Sequence, residues 1–155
     1  AGFVVPEIGI CMNNMLGEPD INPDGFHLQP PGTRLTTMMS PTIVLDEGKP
    51  ILALGSGGSS RLRSAIFQVL SNVLDFGMTL SESVDAPRAH FEAGILQLEG
   101  GIHDQVADGL VEQGYSVNRW PGRNMFFGGV HATAIENGGW VAVGDARRGG
   151  TGVIV

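Results

Sequence analysis

A stretch rich in glycine and serine, Gly-Ser-Gly-Gly-Ser-Ser-Arg at residues 55–61, lies between two segments of different character. The apolar run before it, residues 50–54, has the length of a buried strand. The segment after it, residues 59–76, repeats apolar side chains every three or four positions, which predicts an amphipathic helix. A turn between a strand and a helix carries backbone N–H groups without helical partners, at the positive end of the helix dipole. We therefore expect residues 55–61 to hold negative charge: a phosphate, a carboxylate or a reaction oxyanion.

The stretch matches none of the common phosphate or nucleophile motifs. A P-loop requires a lysine after its second glycine, and no lysine is present there. Ser60 stands where the dinucleotide fingerprint has glycine, and Gly57 stands where a nucleophile elbow has serine. On pattern alone, a purely structural turn and an anion-binding turn both stay open.

Composition narrows the function classes. The chain has 155 residues and 42% hydrophobic residues, which suits one folded domain with a core. Its net charge of −7 argues against a nucleic-acid surface, and no apolar run reaches the length of a bilayer. The four histidines have no ligand-like spacing, so we expect no metal site and no cofactor. Residues 20–25 begin like a calcium loop, but Pro31 stands where its glutamate should be, and Asx turns explain the segment more simply.

The order of elements predicts a mixed α/β (α+β) domain in which antiparallel hairpins alternate with helices. Residues 13–31 read as a long functional loop, and Asn137-Gly138 is a strong hairpin signal. Thr79 or Ser81 can cap a short helix. The Arg147-Arg148 pair is typical of a solvated surface, although one guanidinium could hold a loop carboxylate. The predicted strands are residues 4–12, 42–45, 51–54, 91–98, 115–120, 129–135, 140–144 and 153–155, and the predicted helices are residues 59–76, 79–84 and 103–113.

Five stretches, taken in order, resemble motifs of one family. Gly-Ile-Cys-Met-Asn-Asn-Met at residues 9–15 is followed by Leu-Thr-Thr-Met-Met-Ser-Pro-Thr-Ile-Val at residues 35–44 and by the glycine-rich stretch. Asp-Ala-Pro-Arg at residues 85–88 and Gly-Asp-Ala-Arg at residues 144–147 complete the set. Together they resemble the small, C-terminal subunit of gamma-glutamyltranspeptidase, an N-terminal nucleophile hydrolase.

The resemblance implies a fold and a reaction. The fold would be part of an αββα sandwich, with mostly antiparallel sheets and flanking helices. The family's precursor cuts itself in two, and the exposed N-terminal threonine attacks a gamma-glutamyl amide such as glutathione, with its own α-amine as base. An acyl-enzyme then passes to water or to an amino acid. The resemblance places the oxyanion N–H donors at Gly58 and Ser59, in the turn where N–H groups without helical partners are predicted.

Substrate contacts follow from the same resemblance. They fall on six residues before position 40: Asn14, Glu18, Arg34, Thr36, Thr37 and Met38. Glu18 takes the place of the family's aspartate that binds the substrate α-amino group, with Asn14 beside it. Thr36 and Thr37 match the serine pair that binds the α-carboxylate, although one extra methionine also permits a register of Thr37 and Met38. Arg34 would add positive charge nearby.

The family's threonine segment is not found in these residues, and Ala1 carries no nucleophile. We therefore expect residues 1–155 to form a single domain, a truncated small subunit whose partner is the large subunit of the same precursor. Alone, it is expected to be inactive, and its uncovered apolar surface and sheet edges should favour self-association. Two alternatives are a non-catalytic module that binds an anion or carboxylate at residues 55–61, and a structural half with no site of its own.

Overall fold

The computed structural model describes residues 2–155, so Ala1, on which the expectation of a missing nucleophile rests, lies outside the described residues. The chain forms two compact units, Ala1–Met38 and Met39–Val155. The glycine-rich stretch belongs to the second unit.

The first unit contains no strand among its described residues, and the strand predicted for residues 4–12 is wrong. The chain instead folds back on itself, with a single bridge between Val4 and Cys11. Positive φ angles at Glu7 (71°) and Gly9 (67°) reverse its direction. A left-handed backbone at these two positions cannot continue an extended strand.

The predicted long loop at residues 13–31 is confirmed. It contains two single 3₁₀ turns, Met15–Gly17 and Pro19–Ile21. Asn22 follows the second turn, and among residues 2–38 it is the only buried residue.

The second unit contains seven strands and three α-helices among its described residues. They are β1 (Thr42–Asp46), β2 (Lys49–Gly57), α1 (Leu62–Leu74), α2 (Leu80–Asp85), β3 (Ala89–Glu92), β4 (Ile95–Leu98), α3 (Asp104–Glu112), β5 (Ser116–Arg119), β6 (Gly129–Glu136) and β7 (Gly139–Val143). One sheet has the order β1-β2-β6-β7 and is antiparallel throughout. The other has the order β3-β4-β5, with β4 and β5 parallel. The predicted mixed α/β class with mostly antiparallel sheets is confirmed.

The core lies between one face of the four-stranded sheet and helices α1 and α2. Alternating residues of β2 and β6 face this core, as a half-buried strand requires. Its buried members are Leu52, Leu54, Ala65, Ile66, Val69, Leu80, Val84, Val130, Ala132 and Ala134. The opposite face of the sheet carries the paired row Ile43, Ala53, Thr133 and Ala142.

Several predicted boundaries need correction. The strand expected at residues 51–54 continues to Gly57, because β6 pairs with it as far as Gly57↔Gly129. Helix α1 accordingly begins at Leu62 and not at residue 59. Residues 91–98 form two strands joined at Ala93 and Gly94, both of which have positive φ (51° and 81°).

The ends of the helices agree better with the sequence. Thr79 caps α2 with a complete capping box to Glu82. Gly77 after α1 has the predicted left-handed conformation, with φ of 64°. The strand predicted for residues 153–155 is not formed. Among residues 2–155 no helix combines the length and apolar character needed to cross a membrane.

Candidate active site

The turn after β2 is shorter than the glycine-rich stretch. Gly55, Ser56 and Gly57 still belong to the strand, so the turn itself comprises residues 58–61. Gly58 has φ of +128°, a conformation that favours glycine. Within the described part of the chain, its amide N–H donates to no backbone carbonyl. The Ser59 carbonyl accepts the N–H of Leu62 at 3.1 Å, which joins the turn to the first residue of α1.

Close packing holds the end of β2 against β6. The Ser56 hydroxyl accepts the Gly129 N–H and donates to the Gly57 carbonyl, both at 3.1 Å. A Cβ atom at Gly128 would lie 3.0 Å from the Ala65 Cβ and from the Ser56 Oγ, and φ there is +80°. Only glycine fits position 128, so the two strands and α1 approach closely beneath the turn.

Arg148 lies across this part of the molecule. A Cβ atom at Gly129 would lie 2.6 Å from the Arg148 Cγ and Cδ, and one at Gly57 would lie 3.1 Å from the Cδ. The guanidinium Nη2 would lie 3.4 Å from a Cβ at Gly58, and it donates to the Met125 carbonyl at 3.3 Å. Gly57, Gly58 and Gly129 thus leave space for the Arg148 guanidinium beside the turn. The prediction that Arg147 and Arg148 form a solvated surface pair did not include this position.

The second half of the turn is anchored to strand β3. The Ser60 hydroxyl donates to a carboxylate oxygen of Glu92 at 2.5 Å, and an Arg61 Nη1 lies 3.5 Å from the other oxygen. The Arg61 guanidinium also lies over the ring of Phe126, 4.8 Å from its centre. These contacts fix residues 60 and 61 and leave Gly58, which is half-buried, at the other end of the turn.

Arg88, Glu99, Asp145 and Arg147 form a buried ionic cluster. Asp145 accepts the N–H of Val130 in β6. Arg88 contacts Asp145 at 2.8 Å, and Arg147 contacts Glu99 at 2.6 Å and Asp145 at 3.2 Å. The side chains of this cluster are at most 2% exposed. Two positive and two negative charges balance, as buried charges require.

The cluster also changes the pKa values of its members. Burial opposes the charge of Asp145, but Arg88 and the N–H groups of Arg147 and Val130 outweigh it and lower the pKa of this carboxyl. Burial likewise works against the charge of Arg147, while the carboxylate of Glu99 raises its pKa above the ordinary value. Both groups are therefore ionised at neutral pH. The sequence alternative, in which one arginine of the pair holds a carboxylate, is confirmed for Arg147.

Two adjoining depressions lie on the outer face of the four-stranded sheet. The smaller, about 420 Å³, is lined by Met39, Ser40, Pro41, Gly55, Ser56, Gly57 and His131. The larger, about 690 Å³, extends along β1, β2, β6 and β7 as far as residues 151–153. They share Pro41, Gly55 and His131, so a continuous apolar surface leads to the end of β2.

The six predicted substrate contacts all belong to the first unit. Arg34 and Thr36 line a cavity of about 100 Å³, while the Thr37 hydroxyl contacts the Met15 sulfur at 3.7 Å. The structure thus brings Arg34 and Thr36 together. Glu18 and Met38 are half-buried, and Asn14 is exposed.

The family model described as Gamma-glutamyltranspeptidase matches residues 1–155. The chain belongs to the gamma-glutamyltranspeptidase family. This is a family of enzymes, and the resemblance inferred from the five motifs is confirmed.

Relatives within the family carry several names. The chain is 36% identical over 135 residues to the Acylase ACY 1 proenzyme of Pseudomonas sp. (strain SE83). This match covers 87% of this chain and 24% of the relative. The chain is 30% identical over 155 residues to the Glutathione hydrolase proenzyme of Bacillus subtilis (strain 168), covering 98% of this chain and 26% of the relative. The chain therefore spans about a quarter of the length of these curated relatives.

A solved structure supports the fold. Gamma-glutamyltranspeptidase from Pseudomonas nitroreducens complexed with L-DON has a TM-score of 0.77 and 29% identity, and the match covers 100% of this chain and 86% of that one. The relatives are proenzymes, as a self-cleaving precursor predicts. Within residues 2–155, no group of three or more His, Cys, Asp or Glu side chains is arranged to hold a metal ion.

Proposed function

We propose that this chain supplies the oxyanion site and the substrate loop of an enzyme that transfers or hydrolyses gamma-glutamyl groups of glutathione and related amides. The observation that carries the proposal is Gly58 at the end of β2, whose amide has no backbone acceptor among residues 2–155 and lies beside the guanidinium of Arg148. Membership of the family supports the reaction class. The attacking hydroxyl, in this proposal, belongs to an N-terminal threonine outside these residues.

In the proposed mechanism, the threonine attacks the amide carbonyl and its proton passes to the threonine α-amine. Negative charge develops on the carbonyl oxygen, and the N–H groups of Gly58 and Ser59 stabilise it. Such pre-aimed donors bind the transition state more strongly than the ground state, because the carbonyl oxygen gains negative charge as the threonine attacks. The leaving amine then departs with a proton, and water or an amino acid releases the acyl group.

Substrate binding is assigned to the first unit. Glu18, with Asn14 beside it, would hold the α-ammonium of the donor. Arg34 and Thr36, which line one cavity, would hold its α-carboxylate, with Thr37 and Met38 beside them. A guanidinium and a hydroxyl are suitable donors for a carboxylate.

The partner proposed for this chain is the rest of the same precursor. The outer face of the four-stranded sheet carries Ile43 and Trp140, which are 66% and 60% exposed, beside the apolar depressions. Contiguous apolar surface of this kind marks an interface. We propose that residues 1–155 act as a small subunit, which alone is inactive and self-associates through this face.

The test begins with the natural full-length protein and gamma-glutamyl-p-nitroanilide. We expect release of p-nitroaniline by that protein and none by the purified 155-residue chain. No turnover by the full-length protein would overturn the proposed reaction, and turnover by the isolated chain would overturn the assignment of the nucleophile.

A backbone substitution tests the oxyanion role directly. Replacing the Gly58 amide by an ester removes one N–H and leaves the chain conformation unchanged, so we expect kcat to fall by roughly 10²–10³. The matched control is the same ester at Gly48, in the turn between β1 and β2. Equal activity of the two esters would contradict the role of Gly58.

One observation favours the second candidate function, a non-catalytic anion-binding module. Arg148 places a permanent positive charge beside the Gly58 turn, as a phosphate or carboxylate site would require. Calorimetric titration of the isolated chain with inorganic phosphate distinguishes the two. Saturable binding that Arg148→Gln abolishes would favour this candidate, provided that the full-length protein does not turn over the anilide.

A further inference from the structure

Asn22 is buried in a unit that buries no other described residue. It is 7% exposed, and residues 2–21 and 23–38 are half-buried or exposed. A polar side chain at the least exposed position requires hydrogen-bond partners, since an unsatisfied buried amide is costly. Asn22 lies in the start of a calcium-loop pattern, but within residues 2–155 no group of three or more His, Cys, Asp or Glu side chains is arranged to hold a metal ion.

The Asn22 amide closes the substrate loop. Its Nδ2 donates to the Met15 carbonyl at 3.1 Å and to the Glu18 carbonyl at 2.8 Å. The Glu18 N–H donates to the same Met15 carbonyl at 3.2 Å, and the Asn22 N–H donates to the Pro19 carbonyl at 3.1 Å. The peptide groups on both sides of Glu18 are therefore held, and the side chain of Asn22 supplies the link between the two 3₁₀ turns.

The same residue forms part of the wall of the 100 Å³ cavity that Arg34 and Thr36 line. Arg34 is the only charged residue among the described residues that line this cavity. The buried side chain of Asn22 thus contacts the loop that carries Glu18 and also lines the cavity that contains Arg34.

We propose that Asn22 is a positioning residue that sets the distance between Glu18 and the pair Arg34 and Thr36. In the proposed function, the ammonium and the carboxylate of the donor must then reach two groups that Asn22 holds at a fixed separation. This inference rests on the proposed function, in which Glu18 binds the ammonium. Asn22 itself touches no reacting atom.

Three anilides test the inference with the natural full-length protein. Gamma-glutamyl-p-nitroanilide carries both the amine and the carboxylate. Glutaryl-p-nitroanilide lacks the amine, and 4-aminobutyryl-p-nitroanilide lacks the carboxylate. The variants are Asn22→Leu, which keeps the volume, and Asn22→Asp, which keeps the shape and removes the donor. The matched control is Asn118→Leu, since Asn118 bonds the Gln97 side chain at 2.7 Å in the other unit.

Both Asn22 variants lose two ordinary hydrogen bonds, which should raise KM for the two donors that carry the amine. The kcat/KM for the gamma-glutamyl donor, divided by that for the glutaryl donor, should fall about tenfold. The kcat/KM for the glutaryl donor should change by less than about twofold, because this donor has no amine for Glu18 to bind. The Asn118→Leu control should leave the kcat/KM for all three donors unchanged.

A parallel fall for all three donors would identify a general structural role and overturn the proposal, and so would the absence of any change. No turnover of the gamma-glutamyl donor by the unmodified protein would overturn the proposed function instead. In that case, amide hydrogen exchange of residues 15–22 decides the role of Asn22. Faster exchange in Asn22→Leu would support the link between the turns, and equal exchange would overturn it.

Discussion

Replacement of Arg147 by methionine should destabilise the second unit severely. The Arg147 guanidinium donates to Glu99 at 2.8 and 2.6 Å, and to the Val84 and Ala86 carbonyls at 2.8 Å each. Val84 lies in the last turn of α2 and Ala86 is its C-cap, so no helical N–H reaches these carbonyls. Methionine has a similar length, so the change removes the charge and the donors and opens no large cavity.

The magnitude follows from the charge balance. Without Arg147, two buried carboxylates share one remaining buried guanidinium, Arg88. Breaking a buried ion pair by removing one partner costs about 3–5 kcal/mol. For a domain with a free energy of unfolding of about 5–15 kcal/mol, this is a large fraction. With a urea m-value of about 2 kcal/mol/M, the unfolding midpoint should fall by roughly 2 M.

Urea unfolding of the natural full-length protein, followed by tryptophan fluorescence, measures this shift. The matched control is Arg119→Met, because Arg119 pairs with Asp104 and Asp108 at the surface and its side chain is 41% exposed. We expect little change there. The double variant Arg147→Met/Glu99→Leu should lose less than the sum of the two single variants. A single variant within about 1 kcal/mol of the unmodified protein, or additive losses in the double variant, would refute the argument.

Three further outcomes are expected. The pKa of Asp145 is lowered in the folded state, so its contribution to stability is complete above its unfolded pKa of about 4 and is lost as the pH falls through the folded value. The Asp145→Asn variant should therefore be less stable at neutral pH, and its urea unfolding midpoint should depend less on pH than that of the unmodified protein. Thr79→Ala removes the hydroxyl that accepts the Glu82 N–H, and should lower Tm by about 3 °C in a calorimetric scan; an unchanged Tm would count against the cap. Gly129→Ala should push Arg148 off the turn and lower anilide turnover as much as Arg148→Met does, with no additional loss in the double variant; additive losses would contradict a shared cause.

Much of the fold could be predicted because its signals are local. The helix at α1, the Thr79 cap and the hairpin at Asn137-Gly138 each depend on residues close in sequence. The errors occur where distant pairing overrides local pattern. β2 runs through Gly55 and Gly57 because β6 supplies hydrogen bonds there, and no local signal reports that partner.

The site divides in the same way. The position of Gly58 follows from a strand, a glycine and a helix in succession. Glu92 and Glu99, by contrast, lie 32 and 48 residues from the partners they hold, Ser60 and Arg147, and spacing does not predict such contacts. Asn22 was visible in sequence only as part of a calcium-loop pattern, and its actual partners are two backbone carbonyls that no side-chain motif encodes.

The arginine that closes α2 comes 62 residues after that helix ends. A ribosome therefore exposes α2, β3 and β4 long before the charge that completes them is synthesised. Until residues 145–147 emerge, Glu99 has no guanidinium from Arg147, and the final carbonyls of α2 can accept only from water, Arg88 or Arg123. The second unit should consequently acquire its protease resistance late and in a single step, and ribosome-bound chains that stop before Asp145 should be digested at α2.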